Sequence, residues 1–538
     1  MIKSICSILS FLLVFPVISQ IRIANELIHG PSSSVAEWSA ISTFNNKLFL
    51  LVEHGNTGYE PSFYDPEIDT FILLRDLTFG TDGSNMFDIT GNSEKLFFKS
   101  NNSLKNTIDL YVVYNNYNSV FKVTEYRTAA NMIYGYQDMA FGPGGLFVNL
   151  FNANYGAELF VTEGSSLSTK LVVDIYPGMK SSNPERMFYN EKLNLVFFQA
   201  VNPKGKYVPM VTRGTIASTK EIIKNSLLKE NPVTNFSNFN GKTLFGMKTG
   251  KTPNGSQTLH SLFISDGTEK GTVQIFNSVL RSDTYGFTNF IEVDSLIYFT
   301  GDQQIFVSSG TVGNTRTLFD SDSTYQILKI LKLKNKLIFF AEGDLSQIQI
   351  GEISLLTGKT QFITSINKYF LLYVRPLEII EFQDKIYFVA TDGLNEDQIW
   401  VTDGTASGTK LFFDIDPGPN SFTGLTPIRN KMYFLGSDKF HGNEIYVYEP
   451  VITSNNPGLP IVKSDCIIHQ DQNNLNVFSE DNLQSIHLLH LSGQIVFSST
   501  SFNNQNITIP TTGFPSGVYI MNSITKSSHI CIQKVLIH

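Results

Sequence analysis

Gly-Lys-Thr occurs at 241–243, 250–252 and 358–360, and a phosphate-binding loop is the first chemistry this suggests. Such a loop needs another glycine five residues before the motif's own glycine, so that backbone N–H groups can curl around phosphate. Phe236, Phe245 and Ile353 hold those positions, and the reading fails in every copy. The 9 histidines show no ligand spacing, and neither a Gly-x-Ser-x-Gly elbow nor a His-Glu-x-x-His helix is present. The sequence therefore assigns no catalytic residue, no cofactor-binding residue and no metal ligand, and no cofactor is expected.

A second pattern is acidic. Glu163-Gly164, Asp266-Gly267-Thr268 and Asp403-Gly404-Thr405 each stand between two apolar runs. Converging loops with such oxygens are the raw material of a calcium site. The simpler expectation is that each acid bonds the backbone of its own turn, because Arg213 and Ser309 fill the same place elsewhere. Asp320-Ser321-Asp322 reads as a solvated loop. Trp400 has the shape of a sugar-stacking platform, yet Phe160 and Phe263 occupy its strand position in other repeats, so core packing is expected.

The elements that carry these turns form a repeat. Lys47-Leu48-Phe49-Leu50, Lys95-Leu96-Phe97-Phe98, Gly145-Leu146-Phe147-Val148 and Asn194-Leu195-Val196-Phe197 open a series continued by apolar runs beginning at Lys242, Ser295, Lys336, Lys385 and Lys431. The steps between them run from 41 to 53 residues. Continuous apolar runs of this length suit strands of a sheet covered on both faces. Each unit has room for the four short strands of a propeller blade, and no stretch between them has a helical period. In the unit at 376–416, strand A is expected at Leu377–Phe382, B at Lys385–Ala390, C at Gln398–Thr402 and D at Lys410–Ile415.

The ends of the array fit each other. The last unit has no strand D after Glu444–Tyr448, while Ile21–Pro31 reads as an orphan strand D with its following loop. Pairing the two closes the ring and removes the exposed edges that an open array would leave. The fold expected is all-β: a propeller-like repeat domain of about nine four-stranded units at 20–450, then a linker at 451–460 and a small antiparallel β-sandwich at 461–538.

Residues 1–19 read as a signal peptide, with Lys3 before the apolar run Ile8–Phe15 and cleavage between Ser19 and Gln20. No later segment is long and apolar enough for a membrane-spanning helix. The net charge of −8 offers no clustered basic face for nucleic acid. After cleavage only Cys466 and Cys531 remain, as one disulfide or as two buried thiols.

Two segments resemble known families. Gln398-Ile399-Trp400-Val401-Thr402-Asp403-Gly404-Thr405, Glu158-Leu159-Phe160-Val161-Thr162-Glu163-Gly164-Ser165 and Leu262-Phe263-Ile264-Ser265-Asp266-Gly267-Thr268 resemble the ELWxxDGT repeat of secreted bacterial proteins. Thr212–Thr215 and Ser308–Thr311 are worn copies without the acid. This resemblance implies a propeller-like fold and no known reaction. The tail, about 457–538, resembles the type A C-terminal sorting domain of the type IX secretion system. The matching segments are Ile486–Val496, Ile507–Pro510, Phe514–Ile520 and Lys534–Ile537, with Ser492-Gly493 and Ser516-Gly517 at turns. Val462–Ser479 departs from the family's opening pattern. The resemblance implies handling by the type IX secretion machinery.

The function expected is an exported, non-catalytic binding or adhesion protein, at the cell surface or secreted, whose ligand is a glycan or a protein. The alternative is a propeller enzyme acting on glycans as a hydrolase or lyase, which would need two carboxylates in a deep pocket at the channel.

Overall fold

A computed structural model describes most of residues 20–450 and 466–537. Outside the described residues lie 1–19 and 451–465, the connections 128–137, 224–232, 367–377 and 413–421, and several shorter stretches. The signal peptide with Ser19 and the 451–460 linker therefore fall outside them. Two compact units are found, residues 1–450 and 451–538.

The first unit is a nine-bladed β-propeller of four-stranded antiparallel sheets. Blades 1 to 8 run in chain order from Ser42 to Leu411, each with strands A to D in sequence. Blade 9 takes A, B and C from Thr423–Ile428, Lys431–Gly436 and Glu444–Glu449, and D from Gln20–Ile23. That last strand pairs Gln20 with Glu449 and Ile23 with Tyr446, so the chain's two ends close the ring as expected. The pairing is shorter than the 21–31 segment. Beyond Ile23, the Ala24 N–H still donates to the Ile445 carbonyl at 2.7 Å.

Strand B explains why the repeat reads as continuous apolar sequence. Leu48 to Val52, Leu146 to Val148, Val196 to Phe198 and Leu337 to Ala341 are fully buried on both sheet faces. The cores lie between blades. Phe97, Leu110 and Val112 of blade 2 pack with Leu146, Val148 and Leu150 of blade 3. At the closure, Ala24 and Val447 of blade 9 join Leu48, Leu50 and Val52 of blade 1 in the same way.

The hairpins follow local chemistry. Strands A and B meet through Asn45-Asn46, Asn240-Gly241 and Gln383-Asp384, every one of these residues at positive φ. Two consecutive positive φ values give the turn whose twist matches antiparallel strands. Strand A itself is often bulged, at Asp88 (φ 52°), Arg186 (φ 56°) and Asn289 (φ 51°), with a register shift at each. In the 376–416 unit, strands B and C match their expected bounds, A covers Ile379–Phe382, and regular D pairing is limited to Lys410–Leu411. Phe412 still donates to the Ile399 carbonyl at 2.8 Å; Leu377 and Phe413–Ile415 lie outside the described residues. Among the described residues the only complete helical element is a single 3₁₀ turn at Ile216–Ser218.

The second unit has a three-stranded sheet, built from Cys466–Gln470, Asn474–Ser479 and Asn506–Pro510, and a four-stranded one. The latter orders Ile495–Thr500, Leu483–His490, Gly517–Thr525 and Ile530–Ile537. Leu475, Val477 and Ile509 of one sheet share a core with Ile486, Leu488, Tyr519 and Met521 of the other. Cys466 and Cys531 stand on different sheets. Ser492, Gly493 and Ser516 lie outside the described residues.

Candidate functional site

The structure places Glu163 and Gly164 in blade 3, Asp266, Gly267 and Thr268 in blade 5, and Asp403, Gly404 and Thr405 in blade 8. Each set occupies a C–D turn, and the three acids belong to separate blades. Asp266 Oδ1 accepts from the Thr268 N–H at 2.9 Å and the Thr268 hydroxyl at 2.7 Å. Asp403 Oδ1 accepts from the Thr405 N–H at 3.0 Å and hydroxyl at 2.7 Å. For Asp403 the Thr405 hydroxyl is the main cause that holds the carboxyl below its usual range. For Asp266, burial pushes the carboxyl up, and the Thr268 hydroxyl and N–H together outweigh it and hold the group low. These acids stiffen their own turns.

What the copies share is a frame that sequence reasoning missed. The last residue of strand C is Ser or Thr, glycine follows two places later, and Thr stands seven places later. The two hydroxyls bond each other: Thr162–Thr169 at 2.9 Å, Thr212–Thr219 at 2.8 Å, Ser265–Thr272 at 2.7 Å, Ser308–Thr315 at 2.8 Å and Thr402–Thr409 at 2.7 Å. The same strand-C hydroxyl accepts from the glycine N–H, at 3.1 Å for Gly164 and 2.9 Å for Gly214. Arg213 and Ser309 therefore sit in intact turns, and the copies without the acid are not worn in geometry.

The glycine faces the preceding blade. A Cβ on Gly267 would stand 2.2 Å from Leu195 Cδ1, on Gly164 2.6 Å from the Tyr114 hydroxyl, and on Gly404 2.9 Å from Lys336 Cε. All three have positive φ, at 86°, 113° and 80°. Lysines complete the clasp: Lys95 Nζ donates to the Glu163 carbonyl at 2.7 Å, and Lys336 Nζ to the Gly404 carbonyl at 2.6 Å. At the head of strand B in other blades, Lys47 pairs instead with Asp65 and Lys431 with Glu449.

A second device begins at the first residue of the repeat motif. Glu158 on strand C is fully buried and accepts from the N–H groups of Ile175, Tyr176 and Ser182 at 2.9, 3.3 and 2.9 Å, and from the Ser182 hydroxyl at 2.6 Å. It grips the connection that leaves strand D for the next blade. Glu60 does the same in blade 1, through Leu77, Thr78 and Ser84. Glu444 does so at the closure, accepting from the Ser34 N–H at 2.9 Å. Burial pushes the carboxyls of Glu60 and Glu158 up to about 7 against the pull of their hydrogen bonds.

Carboxylates also converge at the bulge of blade 2. Buried Lys99 donates to Asp88 at 3.2 Å and to Asp138 of blade 3 at 2.5 Å. Burial pushes Asp138 up to about 7, whereas Asp88 is buried too, yet its hydrogen bond with Asp138 and the Lys99 ammonium hold it below its usual range. The two carboxyls also hydrogen-bond each other, and the Lys99 ammonium contacts both. Trp400 packs against the core of blades 7 and 8, and its Nε1–H donates to the Ala390 carbonyl at 3.1 Å. The Gly-Lys-Thr sites fall at the A–B turn of blade 5, the end of its strand B and the C–D turn of blade 7. Among the described residues no group of His, Cys, Asp and Glu has metal-ligand geometry, and no helix is long and apolar enough to cross a membrane.

The fold and its tail define an exported β-propeller. Residues 471–538 match the family described as secretion system C-terminal sorting domain. That domain places the protein at the cell surface or in the medium and implies handling by the type IX secretion machinery. No curated protein matches the chain in sequence. Among solved structures, the extracellular domain of a one component system from B. thetaiotaomicron is 10% identical, covering 93% of this chain and 85% of its own, with a TM-score of 0.25. An oligogalacturonate lyase in complex with manganese is 10% identical over 69% of this chain and 96% of its own, TM-score 0.34. A prolyl endopeptidase is 11% identical over 83% of this chain and 55% of its own, TM-score 0.38.

Proposed function

We propose that this protein is a non-catalytic binding or adhesion module of the ELWxxDGT-repeat kind, exported after removal of residues 1–19 and carried to the outside by its sorting tail. The observation that carries this reading is where the recurrent polar residues are spent. Glu158, the Ser/Thr–Gly–Thr frames and the strand-B lysines hold the ring together. The best-converged carboxylates, Asp88 and Asp138, are bridged by Lys99. Such a scaffold leaves recognition to the B–C and D–A connections, which differ in length and sequence from blade to blade. The ligand class is a glycan or a protein. Screening the mature chain on glycan and protein arrays tests this: saturable binding without turnover is expected. Release of shortened glycan products would establish the enzyme alternative instead.

A further inference from the structure

The binding reading concerns one end of the ring; the other end has a character of its own. Strands A to D alternate in direction, so the A–B and C–D turns of a blade share one end. Neighbouring blades share it too, since Lys95 and Lys336 at A–B turns reach the C–D turns of the next blades. The C–D tips therefore ring one face.

Four of those tips present an exposed aliphatic side chain: Leu167 (93% exposed), Ile216 (72%), Val312 (67%) and Leu356 (92%), in blades 3, 4, 6 and 7. Ile68 is a fifth, but Asp65, Glu67 and Asp69 surround it in sequence. The C–D turns of blades 4, 6 and 7, at 212–220, 308–315 and 354–360, contain no acidic residue. Arg213 and Lys220 belong to the same turn as Ile216, and Lys359 to that of Leu356. On the turn that carries Val312, an open hollow of about 510 Å³ is lined by Leu296, Val307, Asn314 and Arg316.

We propose that this face docks on an anionic lipid bilayer, the four aliphatic tips entering the headgroup region and the basic turns meeting its charge. The spacing and chemistry of the tips select this occupant. Tips on different blades stand at least one sheet spacing apart, about 10 Å, which suits a flat, yielding surface. A protein partner calls for a contiguous desolvated patch rich in aromatic anchors, and a sugar ring stacks on aromatic faces; these tips offer neither. Aliphatic insertion combined with Lys and Arg is how interfacial proteins hold anionic membranes. Blade 5, with Asp266 and Glu269 in its turn, interrupts the basic edge, which rests on Arg213 and Lys220 of blade 4 and Lys359 of blade 7.

The test uses the full mature chain and co-sedimentation with vesicles of phosphatidylglycerol mixed with phosphatidylcholine, against phosphatidylcholine alone. Binding to the anionic vesicles is expected, about tenfold stronger than to neutral ones and weakened by salt. The combined variant Leu167→Asp, Ile216→Asp, Leu356→Asp changes only exposed positions; it should keep the wild-type melting curve and lose at least about tenfold in vesicle binding. Arg213→Glu with Lys220→Glu should abolish the preference for anionic vesicles. The proposal is overturned if the wild-type chain stays in the supernatant, if the aspartate variant binds undiminished, or if a soluble acidic polysaccharide is bound while vesicles are not. The aspartate variant should still bind any ligand found on the arrays, which distinguishes failure of this proposal from failure of the binding reading.

Discussion

Blade 3 and blade 9 are built alike and closed differently. In blade 3, strand D follows strand C directly, and Glu158 grips a connection whose residues lie 17 to 24 positions downstream. In blade 9, strand D comes from Gln20–Ile23, and Glu444 grips Ser34, 410 positions away in sequence. Glu158 accepts from Ile175, Tyr176 and Ser182, and Glu444 accepts from the Ser34 N–H, but the larger difference lies in the entropy behind these bonds. An internal blade orders a short segment, whereas the closing blade must bring together the two ends of the whole array. The closure is thus the point at which a local defect becomes a global one.

Removing that strand should have the largest effect. A chain beginning at Ser32 leaves strand C of blade 9 as an open edge, removes Ile21 and Ile23 from the core they share with Phe382, Tyr446 and Tyr448, and removes Ala24 from that of Leu48. Loss of the single cooperative melt, or a midpoint lower by more than about 10 °C, is expected by calorimetry. An unchanged melt would show that the ring is not held this way. Next come the glutamates. Glu158→Ala strands the Ile175 and Tyr176 N–H groups, while Ser182 keeps its bond to the Ala157 carbonyl, and should cost about 3 kcal/mol in denaturant unfolding. Glu444→Ala should cost at least as much and also speed unfolding, and a smaller cost there would break the comparison.

The same glutamates set a pH dependence. A carboxyl raised from 4.5 to about 7 binds its proton more tightly in the folded state. Its contribution is therefore full below the unfolded value and is lost as pH rises through about 7. Melting temperature should fall between pH 5 and 8, and Glu158→Gln should flatten that slope by on the order of 1 to 3 kcal/mol. A variant with the wild-type slope would remove Glu158 as its source. The turn residues come last. Gly404→Ala places a side chain at φ 80° against Lys336 and should cost about 2 kcal/mol. Asp403→Ala loses only bonds within its exposed turn and should cost about 0.5 to 1 kcal/mol.

Much of the ring was legible because its signals are local. The apolar runs of strand B and the orphan strand at Ile21 each follow from residues within a few positions. The clasp was not. Asp403 and Asp266 draw attention in the sequence, yet the shared frame is the pair of hydroxyls seven residues apart, which resembles ordinary Ser/Thr-rich loop composition. The partners of Glu158 lie in a connecting loop, and Lys99 joins Asp88 to Asp138 across two blades; neither has a spacing that marks it. In the tail, Val462–Ser479 departs from the family pattern, but Leu475 and Val477 alternate as a half-buried strand does, and Asn474–Ser479 is one.

The central claim is that the propeller is cargo and residues 471–538 are its address. Fractionation of a host that has the type IX machinery tests it most directly. A chain ending at Pro450 keeps every blade and should accumulate folded in the periplasm, while an unrelated reporter carrying 1–19 and 451–538 should reach the cell surface or the medium. Surface delivery of the tail-less propeller would contradict the account.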